Sequence, residues 1–444
     1  MPPLPCENLK DRGDSDLQTY ISQLQDYCTL SAYQLTKENF IQTIKDSNTR
    51  TNNVYLWFIL SVFFKKFNES KATKALVESS TIMRLIVDTD VSEARKIADV
   101  IEVVAKTLLT RFTESENYDG AKDLCIRIIS LLQKDNQKVI TSFHGPLMRL
   151  LFKENDVTGS IDYINMDDFQ LLNENGSNLK KCFNPAIDPI SLMTYFYYSG
   201  CICLKLKRYV DAYILFESVI MLTSKGENQP HDLFISSTQK YILAGILAFK
   251  KSPSIISIMT NDLSRTFTYY QNDYISILKI FKNGLNISND TYETFLAILK
   301  TIKEKSDDVS KENYRYLCII DEYAIKYSVV KYKKIYDKIY GSDLRLKSLL
   351  PKDVNMKEYL EKICLEDGYN ITIDDNDIVT FHESNNVDTS SVYTLCGEIE
   401  VMEQKLMVLK NIIYKTLYDK ECFMDGKFDL KKVEVISTTI DEKY

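Results

Sequence analysis

Apolar residues recur along most of the chain at the three-to-four-residue spacing of a helix with one buried face. Between Asp16 and Asn155 this pattern predicts amphipathic helices joined by short polar links, among them Leu17–Leu30, Tyr55–Phe67, Lys96–Phe112 and Ala121–Gln133. Within Lys96–Phe112, Ile97, Val100, Ile101, Val104, Leu108 and Leu109 fall on a single stripe. The polar stretch Asn173–Asn184, followed by Pro185 and Pro189, predicts a joint between two helical units.

From Ser191 to Lys250 small and aromatic residues take fixed places. Gly200 lies twelve residues before Ala212, Tyr209 three before that alanine and Phe216 four after it. A tetratricopeptide-like (TPR-like) repeat needs this arrangement, because small residues let two antiparallel helices approach and aromatics fill the space beside the contact. Tyr118, Ala121, Cys125 and Ile128 form a fainter copy, at the spacing of Tyr209, Ala212, Phe216 and Val219. Two copies in register argue for a helical solenoid.

Near residue 330 the pattern changes. Val330–Tyr340 reads as a helix ending at Gly341, and Leu344–Leu350 as a short element stopped by Pro351. Val354–Glu366 reads as a second helix, with Tyr359, Leu360 and Ile363 on its inner face and Gly368 as its stop. Alternation follows: Ile371 and Ile373, the turn Asp374–Asp377, then Val379 and Phe381. Apolar residues at period two on both sides of an Asp/Asn turn predict a β-hairpin. Helices followed by a single hairpin is the order of a winged helix. After a polar linker, Glu383–Ser391, a last helix is predicted from Val392 to Tyr418. Its apolar positions Leu395, Ile399, Met402, Leu406, Leu409 and Ile413 are spaced four, three, four, three and four, close to a heptad seam. Burying each such side chain is worth ~1.5–3 kcal/mol, enough in sum to drive docking on partner helices; amphipathicity alone does not name the partner, and folding back on the same chain would bury the seam as well.

The predicted fold is therefore mainly α: N-terminal helical repeats over 1–185, TPR-like repeats over 186–329, a winged helix over 330–385, a long helix over 392–420 and a charged tail over 421–444. Composition agrees. Only 13 glycines and 9 prolines occur in 444 residues, and no proline lies between Pro5 and Pro146 or between Pro253 and Pro351. The longest apolar stretch, Val54 to Phe64, is about half of the ~20 residues that a membrane span needs. Ten cysteines contain no CxxC, so reduced thiols of a cytosolic or nuclear protein are expected.

Chemistry-bearing patterns are sparse. No two of the three histidines, His144, His231 and His382, lie within eighty residues, which excludes HxH and HExxH metal sites. No two glycines are closer than fourteen residues, which excludes phosphate-cradling glycine loops. Neither catalytic residues, nor a cofactor, nor a metal is expected. Between Lys331 and Ser390 nine basic residues face twelve acidic ones, a net of −3 within a chain of net −7. Such a surface repels a phosphate backbone and argues against nucleic acid. The exception is Lys331, Lys333, Lys334 and Lys338, which alternate with Tyr332 and Tyr336 and are read as the wet face of a helix.

Five stretches carry a resemblance: Tyr195–Gly200 (YFYYSG), Leu204–Ile220 (LKLKRYVDAYILFESVI), Gln239–Leu247 (QKYILAGIL), Lys357–Gly368 (KEYLEKICLEDG) and Ile378–Ser384 (IVTFHES). Together with repeats feeding a winged helix and a long last helix, they resemble the PCI-domain family of the proteasome lid, the COP9 signalosome and a translation initiation factor. The wording is closest to signalosome members. The link Gly341–Val354 is shorter than in those members, and the charged tail differs. The resemblance implies a non-catalytic scaffold in an assembly that removes a ubiquitin-like modifier from cullins, present in cytoplasm and nucleus. Its partners would be other COP9 signalosome subunits, met through side-by-side winged helices and a bundle of C-terminal helices, and indirectly cullin-RING ligases. Two other readings stay open: a paralogous lid subunit of the proteasome, and an RNA- or DNA-binding PCI protein.

Overall fold

The computed structural model describes Gln23 and residues 53–67, 80–132, 140–164, 189–223, 232–253 and 265–382, apart from 92–93, 95–96, 266, 270, 352 and 375. The predicted helix Leu17–Leu30, the joint Asn173–Asn184, the linker Glu383–Ser391, the seam from Leu395 to Ile413 and the tail lie outside the described residues, Gln23 apart. The chain divides into two compact units, 1–198 and 199–444.

The first unit is helical among its described residues: α1 (Asn53–Phe67), α2 (Ser80–Asp88), α3 (Ala98–Glu114), α4 (Tyr118–Leu132), α5 (His144–Glu154) and the single turn α6 (Val157–Ser160). Helix α3 packs on α1 and α4, and α4 packs on α5. The stripe expected on α3 is the buried one, with Ile101, Val104, Leu108 and Leu109 inside. Trp57 is fully buried, and its indole N–H donates to the Thr89 hydroxyl at 3.0 Å, so its one polar atom is satisfied. His144 opens α5, where its Nδ1 accepts from the Thr141 backbone N–H at 2.9 Å between the rings of Tyr163 and Tyr195.

Helix α7 (Pro189–Lys205) leads from one unit into the next, and α8 (Tyr209–Thr223), α9 (Asp232–Phe249), α10 (Asn272–Ile280), α11 (Asn289–Glu304) and α12 (Asp308–Val330) follow. Gly200 faces Phe216 so closely that a Cβ there would lie 2.8 Å from the ring. Phe216 and Ala212 are fully buried and Tyr209 is half-buried. Along the α8–α9 contact the Tyr213 and Tyr241 rings stack 4.5 Å apart and share a 2.6 Å hydrogen bond between hydroxyls. A buried polar chain joins α9, α10 and α12. Lys240 pairs with Glu312 and donates to Asn313 Oδ1 at 3.3 Å; Asn313 Nδ2 donates to Gln239 Oε1 at 3.0 Å and to the Tyr274 hydroxyl at 2.7 Å.

Three helix ends close in the same way. Glu116, Asn155 and Lys207 adopt left-handed backbone, at φ 57°, 58° and 61°. Each donates its N–H to a carbonyl three residues back (Thr113, Phe152, Leu204), and the following N–H reaches a carbonyl five residues back (Phe112, Leu151, Cys203). These paired bonds are the Schellman closure, which glycine usually supplies. Two residues after each left-handed position the next helix starts, at Tyr118, Val157 and Tyr209. Tyr118 and Tyr209 head the two repeat copies seen in the sequence, so the copies also share their turn.

Beyond α12 the chain departs from expectation. Val330–Tyr340 is not a helix: a 3-10 turn, Lys331–Lys334, is followed by strand β1 (Lys338–Tyr340). Then come α13 (Gly341–Lys347), α14 (Met356–Asp367), β2 (Ile371–Ile373) and β3 (Ile378–Phe381). The expected hairpin is present, but it belongs to a three-stranded antiparallel sheet of order β1-β3-β2, with Ile339 opposite Val379 and Thr372 opposite Thr380. Ile and Tyr suit strands as well as helices, and the free edge of β3 offers β1 a ladder that the local period does not reveal.

Two outcomes follow from these contacts. Burial holds the His144 imidazole down to about 4, against about 6.5 when unfolded. Between those values the unfolded chain binds more protons, so stability falls as pH drops through this window. Melting curves from about pH 7 to about pH 4.5 should therefore shift down more in the wild type than in His144→Gln. In urea titrations, Lys240→Met or Glu312→Leu alone should cost about 2–4 kcal/mol, because each strands a buried partner. The double variant should recover much of that loss, and strictly additive losses would show that the pair is not coupled.

Candidate protein-interaction surface

The sheet and its helices enclose a small core of their own. Val329, Ile339, Leu344, Leu350, Met356, Leu360, Ile363, Ile371, Val379 and Phe381 are buried together, with Tyr359 and Ile373 half-buried against them. Every apolar residue that the sequence assigned to this interior thus lies in or against one cluster. The alternation of β3 explains its part: Val379 and Phe381 point inward while Ile378 and Thr380 are half-exposed. Ile339 was hidden by the expectation of a helix, although the exposed–buried–exposed order Lys338-Ile339-Tyr340 is itself a strand signal.

The hairpin turn is locked to α13. Asp377 is left-handed at φ 60°; its backbone oxygen accepts from Gly341 N at 2.7 Å and its carboxylate from Ser342 N at 3.0 Å. A Cβ on Gly341 would fall 2.2 Å from Asp377 Oδ1, so a side chain there would displace this carboxylate from its place. Asp374 Oδ1 accepts from Asn376 N and Ile378 N, both at 2.9 Å. These carboxylates therefore hold backbone amides, the ordinary work of Asp in a turn. Among the described residues no group of three or more His, Cys, Asp or Glu is placed to hold a metal ion, and no helix is long and apolar enough to cross a membrane. His382 shares a 2.8 Å hydrogen bond with Thr372 across the sheet, and His231 lies outside the described residues.

Apolar groups remain outside. Ile335 is 67% exposed, Tyr340 58% and Leu346 76%. The segments that carry them are tied together: the Tyr332 hydroxyl donates to the Lys347 carbonyl at 3.0 Å, and Lys347 Nζ donates to the Tyr336 hydroxyl at 3.1 Å. Leu365, 87% exposed, follows Cys364, whose thiol donates to the Ile371 carbonyl and so faces the sheet. Single exposed apolar residues are ordinary. Ile335, Tyr340 and Leu346 are three such residues on the elements around one small sheet, and they are its candidates for a contact. Lys331, Lys333 and Lys334 occupy the 3-10 turn rather than the wet face of an α-helix, and Lys331 Nζ donates to Asn286 Oδ1 at 3.1 Å.

One comparison with known proteins bears on the chain. A family model described as COP9 signalosome complex subunit 3, N-terminal helical repeats, matches residues 15–261. The match spans more than half of the chain and contains both TPR-like copies and the left-handed turns that separate their helices. On this match, the chain belongs to the COP9 signalosome subunit 3 helical-repeat family.

Proposed function

We propose that the chain is a non-catalytic scaffold subunit of a COP9 signalosome, supporting removal of a ubiquitin-like modifier from cullins in cullin-RING ligases. The observation that carries this reading is the family match over residues 15–261. Family membership implies assembly with other signalosome subunits. The order helix, strand, two helices and hairpin from Asp308 to Phe381 supports a winged-helix module of PCI type behind the repeats. In this reading the exposed Ile335, Tyr340 and Leu346 meet a neighbouring subunit laterally, and Leu395, Ile399, Met402, Leu406, Leu409 and Ile413 enter a shared helical bundle. In this reading the scaffold acts in cytoplasm and nucleus.

Affinity purification of the tagged full chain, followed by mass spectrometry of what accompanies it, tests the assignment. Signalosome subunits should co-purify in stoichiometric amounts, whereas proteasome lid subunits in their place would redirect the chain to the paralogous assembly. Truncation after Ser391 should cut recovery of the other subunits at least about tenfold, since the lost seam is worth several kcal/mol of burial. Undiminished recovery would remove the last helix from the interface. Ile335→Asp combined with Leu346→Asp should weaken incorporation to a smaller degree without lowering the melting temperature of the free protein, both side chains being exposed already.

A further inference from the structure

The two edges of the sheet differ. Between β1 and β3, Gly341 N donates to the Asp377 carbonyl at 2.7 Å and Phe381 N to the Asp337 carbonyl at 2.9 Å. Antiparallel strands alternate, so Ile339, opposite Val379, also turns its backbone groups toward β3. The Lys338 N–H and carbonyl and the Tyr340 N–H therefore point the other way, from the outermost strand of the sheet. None of these groups has a hydrogen-bond partner among the described residues. At the far edge β2 is partly covered, because α14 packs on it and the Ile371 carbonyl accepts the Cys364 thiol at 3.3 Å. Side chains on β1 alternate as well, with Ile339 inside and Lys338 and Tyr340 exposed. Among the described residues Lys338 enters no ion pair.

We propose that the β1 edge receives an extended segment of a neighbouring subunit as a fourth strand, held by the main-chain groups of Lys338 and Tyr340. Its occupant is taken from the assembly proposed above, and main-chain pairing goes beyond the side-chain contact suggested there. Free groups on alternate residues match a strand, whose own groups recur at every second residue. They do not match a helix, whose groups are spent internally. Opposite Lys338 a carboxylate fits, and opposite Tyr340 a β-branched or aromatic residue, since such cross-strand pairs stabilise antiparallel neighbours. A second copy of the chain fits less well: with Lys338 opposite Tyr340 in both directions, the two lysines become diagonal neighbours ~7–8 Å apart. The strand is short and carries a lysine, features that protect the free chain from indiscriminate pairing. Pairing over so few groups gives the contact direction and register more than affinity.

Hydrogen exchange read by mass spectrometry, on the free full chain and on the chain in its purified assembly, tests the pairing. The Lys338 and Tyr340 amides should exchange as open backbone in the free chain and at least about tenfold more slowly in the assembly. Tyr340 stands at φ −65°, the angle that proline imposes, so Tyr340→Pro deletes the outward N–H and leaves Ile339 paired with Val379. Tyr340→Ala removes the side chain alone. With melting temperatures of the free chains matched, Tyr340→Pro should recover at least about fivefold less of the partner subunits than Tyr340→Ala. The proposal is overturned if both amides exchange as fast in the assembly as in the free chain, or if the two variants recover partners equally. Protection that grows with the concentration of the free chain would assign the edge to a second copy and overturn it as well. A chain that purifies alone leaves the edge without an occupant, with the same result. Lid subunits of the proteasome in place of signalosome subunits, with the two amides protected, would overturn the assembly assigned above and uphold the pairing. Should Tyr340→Pro fail to fold, the exchange of the wild-type amides decides.

Discussion

Helix reversal by a left-handed residue is the constraint on which the repeat architecture rests. At Glu116, Asn155 and Lys207 two backbone hydrogen bonds close one helix, and the next begins two residues later. A turn this short leaves little freedom in how successive helices can lie, so the side chains between them must fit that geometry. Gly200 against Phe216 is such a fit, because the close approach leaves no room for a side chain opposite the ring. The non-glycine residues at these turns each accept the cost of left-handed backbone, of order 1 kcal/mol. That cost is tolerated because the closure satisfies carbonyls that would otherwise be left without partners at the helix end.

Polar atoms inside the second unit add specificity to that packing. Apolar contacts tolerate sliding of one helix along another, whereas hydrogen bonds do not. Lys240, Asn313, Gln239 and Tyr274 form bonds that exist in only one register of α9, α10 and α12. Burying these groups gives little net stability, and their contribution is to exclude alternatives. The sheet module follows the same logic at smaller scale, with Asp377 fixing the hairpin turn to the start of α13 through two backbone amides.

Much of this was readable in advance where period and burial agree. The stripe of α3, the small–aromatic spacing around Ala212 and the alternation of Val379 and Phe381 all reappear as buried faces. The helix ends were harder to see. Glu116 and Lys207 carry no local sign of a left-handed turn, and only the hydrogen bonds across it identify them. Lys331–Tyr340 misled because a run of Lys, Tyr and Ile satisfies the helical period while its pairing partner lies forty residues downstream. The exposure of Ile335 and Tyr340 was hidden by the same expectation of a helix.

The pairing of β1 with β3 also bears on the order of biosynthesis. Lys338–Tyr340 leaves the ribosome some forty residues ahead of Ile378–Thr380, its partners in the sheet. Until the later strand emerges, a nascent edge containing Ile339 stands open, and the cap for α13 is not yet made. Helical pairs upstream, closed by local turns, face no such wait. The repeats are therefore expected to assemble progressively during translation, while the sheet module folds in one late step, and the interval between them is when the chain most needs protection from aggregation.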